Sequence, residues 1–134
     1  MATVRVSAYL PDERSEDLGD VDARVALAKF DSFPWDKYVQ QANEMERKGI
    51  DCVDADLTFL IGDCHFMARV KDGGAAFEVE VWVPRLKKVL GLFGRPKCYE
   101  FNRLGKADTR AALETFLTGD PAVQHAYFLQ LRKR

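Results

Sequence analysis

Between Val53 and Val83, apolar and polar side chains alternate through three successive runs, separated by two short turns. Val53, Ala55, Leu57, Phe59 and Ile61 alternate with Cys52, Asp54, Asp56, Thr58 and Leu60. Cys64, Phe66, Ala68 and Val70 alternate with His65, Met67, Arg69 and Lys71. Phe77, Val79, Val81 and Val83 alternate with Glu78, Glu80 and Trp82. A period of two sends successive side chains to opposite faces of a sheet. Gly62-Asp63 and Asp72-Gly73 supply residues that tolerate positive φ at the turns. Pro84 ends the third run, because proline has no N–H to give to a ladder. A chain with this meander is committed to an antiparallel sheet with one apolar and one polar face.

The remaining segments are placed around that sheet. Thr3 to Leu10 alternates in the same way and predicts a first strand, closed by Pro11. Residues 11–22, PDERSEDLGDVD, are strongly acidic and predict an exposed loop. Ala23 to Phe30 fits a strand or a short helix; the strand is favoured, because a hairpin with the first strand would close around the acidic loop. At Asp31-Ser32-Phe33-Pro34-Trp35, Asp31 or Ser32 can cap orphan amides and Pro34 suits a first turn. This predicts a helix to Lys48 that turns Trp35, Tyr38, Val39, Ala42 and Met45 to the sheet, with Gly49 as terminator. Residues 85–97 are irregular. Cys98 to Arg103 predicts another strand, Ala107 to Leu117 a helix, and Asp120-Pro121 the capped start of a last helix.

The expected fold is α+β: an antiparallel sheet of five or six strands, one helix after the second strand, and two C-terminal helices packed on one face. The 134 residues fit one domain, 1–134.

A net charge of −1 argues against general attraction to nucleic acid or anionic membrane. The balance is uneven along the chain: residues 1–60 hold 7 basic and 13 acidic side chains, residues 61–134 hold 13 and 8. Separate acidic and basic faces would steer a charged partner. Cys52, Cys64 and Cys98 are odd in number and lack CxxC spacing, which predicts free thiols in a reducing compartment. The opening Met-Ala-Thr-Val-Arg-Val has no apolar h-region, and no apolar run nears the ~18 residues a span requires. A cytoplasmic location is therefore expected.

The carboxylates of Asp54, Asp56, Glu78 and Glu80, with His65 and Arg69, are predicted on the polar face, where Arg69 can neutralise one or two acids across strands. A metal would need three or four ligands converging on one point, which the alternation does not supply, so no metal or cofactor is expected. Cys64 and His65 point to opposite faces and cannot form a nucleophile–base pair. His125 is read as a packed or surface residue. Trp82 stands among acids on the polar face, and large aromatics there anchor interfaces; a terminal helix or a second copy of the chain is the alternative cover. In the segment 85–97, Leu92 and Phe93 are ringed by Arg85, Lys87, Lys88, Arg95 and Lys97, an apolar centre with a charged rim. Asp54, Asp56, His65, Arg69, Glu78, Glu80, Trp82, Leu92, Phe93 and Arg95 are thus the candidate protein-binding residues, and no catalytic set is assigned.

The layout resembles another group of proteins: a strand leads to Phe30-Asp31-Ser32-Phe33-Pro34-Trp35 and a helix, then a meander, Leu90-Gly91-Leu92-Phe93, and a helix ending at Phe116-Leu117-Thr118-Gly119-Asp120. In outline it is similar to the small immunity proteins of bacterial polymorphic-toxin systems, including contact-dependent and type VI systems. The resemblance implies tight, stoichiometric binding of a cognate toxin domain and no active site. The acidic segment 11–22 and the sheet acids would then face a basic, nuclease-like toxin. Two other expectations stand beside it: a small enzyme or ligand-binding domain with a pocket between sheet and helices, lined by Trp35, Phe59, Phe66, Phe77 or Tyr99, and an adaptor or chaperone for a secreted effector.

Overall fold

The computed structural model describes residues 3–86 and 96–134. Strand β1 (Val4–Tyr9) runs into β2 (Ser15–Val21), followed by helices α1 (Ala23–Ser32) and α2 (Trp35–Arg47). The meander is β3 (Asp56–Ile61), β4 (Cys64–Lys71) and β5 (Ala76–Val83). It is completed by β6 (Lys97–Leu104) and followed by α3 (Lys106–Leu117) and α4 (Pro121–Arg132). The six strands lie in the order β2-β1-β3-β4-β5-β6, all neighbours antiparallel. No helix among the described residues is long and apolar enough to cross a membrane.

The α+β class, the antiparallel sheet of six strands, the first strand, the helix from Trp35 and the two C-terminal helices agree with the sequence; residues 11–30 do not. The expected acidic loop contains the edge strand β2. An edge strand exposes one flank to water, so charge is tolerated there and guards against edge-to-edge pairing. Val6 pairs with Gly19 and Ser7 with Asp17, leaving Leu18 as the extra residue of a bulge. Gly19 takes φ +97°, and its N–H donates to the Asp17 carboxylate at 2.8 Å.

The segment expected to be a second strand, Ala23 to Phe30, is helix α1. The Asp22 carboxylate accepts from the Val25 N–H at 2.8 Å, which caps the helix start. Ala26 and Phe30, one turn apart, are its buried residues. Two helices therefore follow the second strand, not one. Pro34 sits at the cap position of α2 rather than inside it, with no side-chain cap; Asp31 instead receives a two-pronged bond from Arg110 of α3 at 2.8 and 3.0 Å.

The core lies between one sheet face and the helices. Val6, Leu57, Phe59, Phe66, Val79 and Val81 from the sheet meet Phe30, Trp35, Leu113, Phe116 and Phe128 from the helices. The Phe30 and Trp35 rings contact Phe77 at 5.9 and 5.0 Å, and Phe116 contacts Phe66 at 5.8 Å. Among the described residues no helix packs over the opposite face of the sheet, and the functional search begins there.

Candidate functional site

Strand register sets which side chains meet on the bare face. One row across the sheet is Asp20, Arg5, Leu60, His65, Trp82 and Cys98; the next is Asp17, Ser7, Thr58, Met67, Glu80 and Glu100. A third holds Tyr9, Asp56, Arg69 and Glu78. Asp56, His65, Arg69, Glu78, Glu80 and Trp82 therefore share this face, as the alternation predicts.

Asp54 does not join them. The strand begins at Asp56, three residues after the Val53 at which the alternation starts, and residues 48–55 connect α2 to it. Asp54 is exposed there and lines a groove of about 680 Å³ with Tyr9, Cys52, Asp56, Arg69 and Lys71. Leu92, Phe93 and Arg95 lie outside the described residues.

Arg69 is the electrostatic centre of the third row. Its guanidinium reaches Asp56 at 3.5 Å and Glu78 at 3.3 Å, and Lys71 reaches Glu78 at 3.6 Å. Asp56 is only 8% exposed. Burial drives its carboxyl above the usual carboxylate range and outweighs the opposing pull of Arg69. Between the ordinary value and the raised one, the folded chain holds a proton that the unfolded chain has lost, so this group makes stability fall as pH rises. Asp56→Asn removes that contribution and leaves Arg69 paired with Glu78. Denaturant titrations should show the variant gaining on the parent protein as pH rises from about 4 to about 7; a relative loss over that range would contradict the burial argument.

His65 lies across Glu80, its Nε2 3.4 Å from a carboxylate oxygen, with its ring 6.1 Å from Trp82. Beyond Glu80 stand two residues that the sequence did not single out. Glu100 is directly opposite Glu80, and Cys98 is directly opposite Trp82. Glu80, Cys98 and Glu100 bring one ligand atom each to within 4.8 Å of one another. Burial pushes the Cys98 thiol up to about 11, helped by Glu80 and Glu100 and opposed by Lys97. β5 ends at Val83 and β6 begins at Lys97, a separation too long for the register between them to be counted from sequence.

Cys64 is buried on the helix side while His65 faces out, as the alternation requires. Its thiol is also pushed up to about 11, first by burial and then by Asp63, which makes it a poor nucleophile. His125 is packed, accepting from or donating to the Tyr99 hydroxyl at 2.7 Å and bonding the Pro84 carbonyl at 2.7 Å. Trp35, Phe59, Phe66, Phe77 and Tyr99, the expected pocket walls, are at most 5% exposed and fill the core.

The clefts near the charged residues are open: the groove at the strand ends, and a shallow one of about 310 Å³ over Met67, Arg69, Glu78, Glu80, Glu100 and Asn102. Chemically, the face can pair charges, bury Trp82 and Leu60 against another surface, and offer mixed nitrogen, oxygen and sulfur donors at its centre. Set against protein-family models, curated proteins and solved structures, the chain finds no match in any of the three.

Proposed function

We propose that the protein is a stoichiometric binding module of the toxin-neutralising kind, and that its bare sheet face and acidic β2 edge hold a basic protein partner. The observation that carries this reading is the asymmetry of the sheet. One face is filled by helix side chains, while the other presents Leu60, Met67 and Trp82 among charged residues. Proteins bind through such patches, with apolar residues inside a polar rim. The carboxylates of Asp17, Asp20, Asp56, Glu78, Glu80 and Glu100 outnumber the cations of Arg5, Arg69 and Lys71 on this face. That excess favours a basic surface, as the immunity-protein resemblance also implies, and would accelerate encounter at low salt.

The test is co-expression with the product of each gene that neighbours the one encoding this chain, followed by measurement of growth and binding. The expected result is protection and a 1:1 complex. Trp82→Ala should weaken binding about 30-fold or more, the loss that corresponds to an aromatic hot spot of ~2 kcal/mol. Adding Glu78→Lys should slow association further. A chain that neither binds nor protects, or a Trp82→Ala, Glu78→Lys variant that binds at parental affinity, would overturn the proposal.

One observation favours a second reading, a small-ligand site: the groove at the strand ends is large enough for a ligand and brings Tyr9, Asp56, Arg69 and Lys71 to one place. Its walls include Ala42, Asn43 and Glu46 of α2 together with the strand ends, and none of the aromatic residues expected to line a sheet–helix pocket.

A further inference from the structure

The centre of the bare face contains a like-charge contact of a kind that folds avoid. Glu80 and Glu100 are directly opposed on neighbouring antiparallel strands, an arrangement that is destabilising when both are ionised. Three other acids on this face are matched with cations: Asp20 faces Arg5 at 3.0 Å, Asp56 faces Arg69, and Glu78 faces Arg69 and Lys71, while Asp17 stands opposite Ser7. Among the described residues, Glu100 has no ion pair, and Glu80 has only His65. A third potential anion, the Cys98 thiol, completes the cluster, its sulfur 4.0 Å from Glu100.

We infer that Glu80, Cys98 and Glu100 form a binding site for a zinc-class divalent cation, with His65 supporting Glu80 from behind. The donor set argues for the metal class. One thiolate with two carboxylates suits a borderline-soft ion that takes both sulfur and oxygen, whereas magnesium or calcium would be held by oxygen alone. The spacing also fits: ligand atoms bound at about 2.0–2.3 Å around one tetrahedral ion lie roughly 3–4 Å apart, and these three are already within 4.8 Å before any ion draws them together.

The surroundings fit as well. A ligating carboxylate is usually held by an outer hydrogen bond, and His65 Nε2 stands 3.4 Å from Glu80 Oε2. Trp82 lies between His65 and Cys98 in the neighbouring row and gives one side of the site an apolar wall. Three protein ligands leave a fourth position open on an exposed face. In the zinc-loaded chain water would fill it, and a donor atom from a docked molecule could replace that water.

The test uses the full chain alone, so it does not depend on any protein partner. The reduced, chelator-treated protein is titrated with zinc against a competing chromophoric chelator, and separately with cobalt. The expected result is one zinc per chain and a cobalt complex with a thiolate-to-metal charge-transfer band. Cys98→Ser should abolish that band, and Glu100→Gln should weaken zinc at least tenfold. His65→Ala should weaken it by roughly 10–100-fold, the range for an outer partner, while Cys52→Ser leaves it unchanged. Glu100 is exposed, so its variant keeps the test decisive should Cys98→Ser fold poorly. Absence of saturable 1:1 zinc binding would overturn the inference. So would a charge-transfer band that survives Cys98→Ser, or zinc affinity unchanged in Glu100→Gln.

Discussion

Phe66→Ala should cost about 3–5 kcal/mol of folding stability, against the roughly 5–15 kcal/mol that a native domain typically has. Phe66 is fully buried near the middle of β4. In register it faces Phe59 on β3 and Val81 on β5, and the Phe116 ring of α3 closes over it. Both flanks of β4 are held by ladders, so neither neighbouring strand can shift to fill the space left by the ring. The cavity term therefore adds to the lost transfer energy instead of relaxing away. Urea unfolding should show a lower midpoint at an unchanged slope. Leu60→Ala makes the contrast: Leu60 is on the same sheet but on the bare face, 36% exposed, and its loss should stay within about 0.5 kcal/mol. Equal costs for the two variants would mean that the two faces of the sheet have been assigned wrongly.

That contrast also marks what the sequence makes legible. A period of two reports face directly, so β3, β4 and β5 could be read with their inward and outward residues, including the opposite directions of Cys64 and His65. Both Asp72 and Gly73 take positive φ, at 52° and 67°, as the turn reading requires, although the turn extends to Gly74 before β5 begins. Periodicity failed where burial is incomplete. β2 is an edge strand with charged residues on it, and its composition imitates a loop. α1 is short and shows only Ala26 and Phe30 to the core, so Val25 and Leu27 could be mistaken for alternation when the deciding signal was Asp22 at the cap.

The site divides in the same way. Six of the sheet residues chosen from sequence share one face, because face follows from parity alone. Asp54 fell away because parity does not say where a strand begins. Cys98 and Glu100 were missed because their position depends on register across a long connection. The like-charge contact of Glu80 with Glu100 is visible only once that register is known.

His125→Ala should cost about 2–4 kcal/mol although no catalytic role is assigned to the residue, because a buried hydroxyl would lose its partner. The Pro84 carbonyl can only accept, so Nε2 carries the imidazole proton and donates it at 2.7 Å. In the neutral ring Nδ1 is then the acceptor, and the Tyr99 hydroxyl donates to it at 2.7 Å. Tyr99 is 3% exposed, so its hydroxyl has little access to replacement water. The imidazole also packs edge-on against the Tyr99 ring at 5.7 Å, and that contact is lost too. Through these bonds α4 is tied to β6 and to the residue that ends β5, which fixes the two sheet strands that carry Glu80, Trp82, Cys98 and Glu100. A double-mutant cycle separates the hydrogen bond from simple packing. In a Tyr99→Phe background no hydroxyl is left to strand, so His125→Ala should cost at least 1 kcal/mol less than it does in the parent chain. Strict additivity of the two substitutions would show that the Tyr99 hydroxyl gains nothing from the histidine, leaving the cost of His125→Ala to packing and the Pro84 bond.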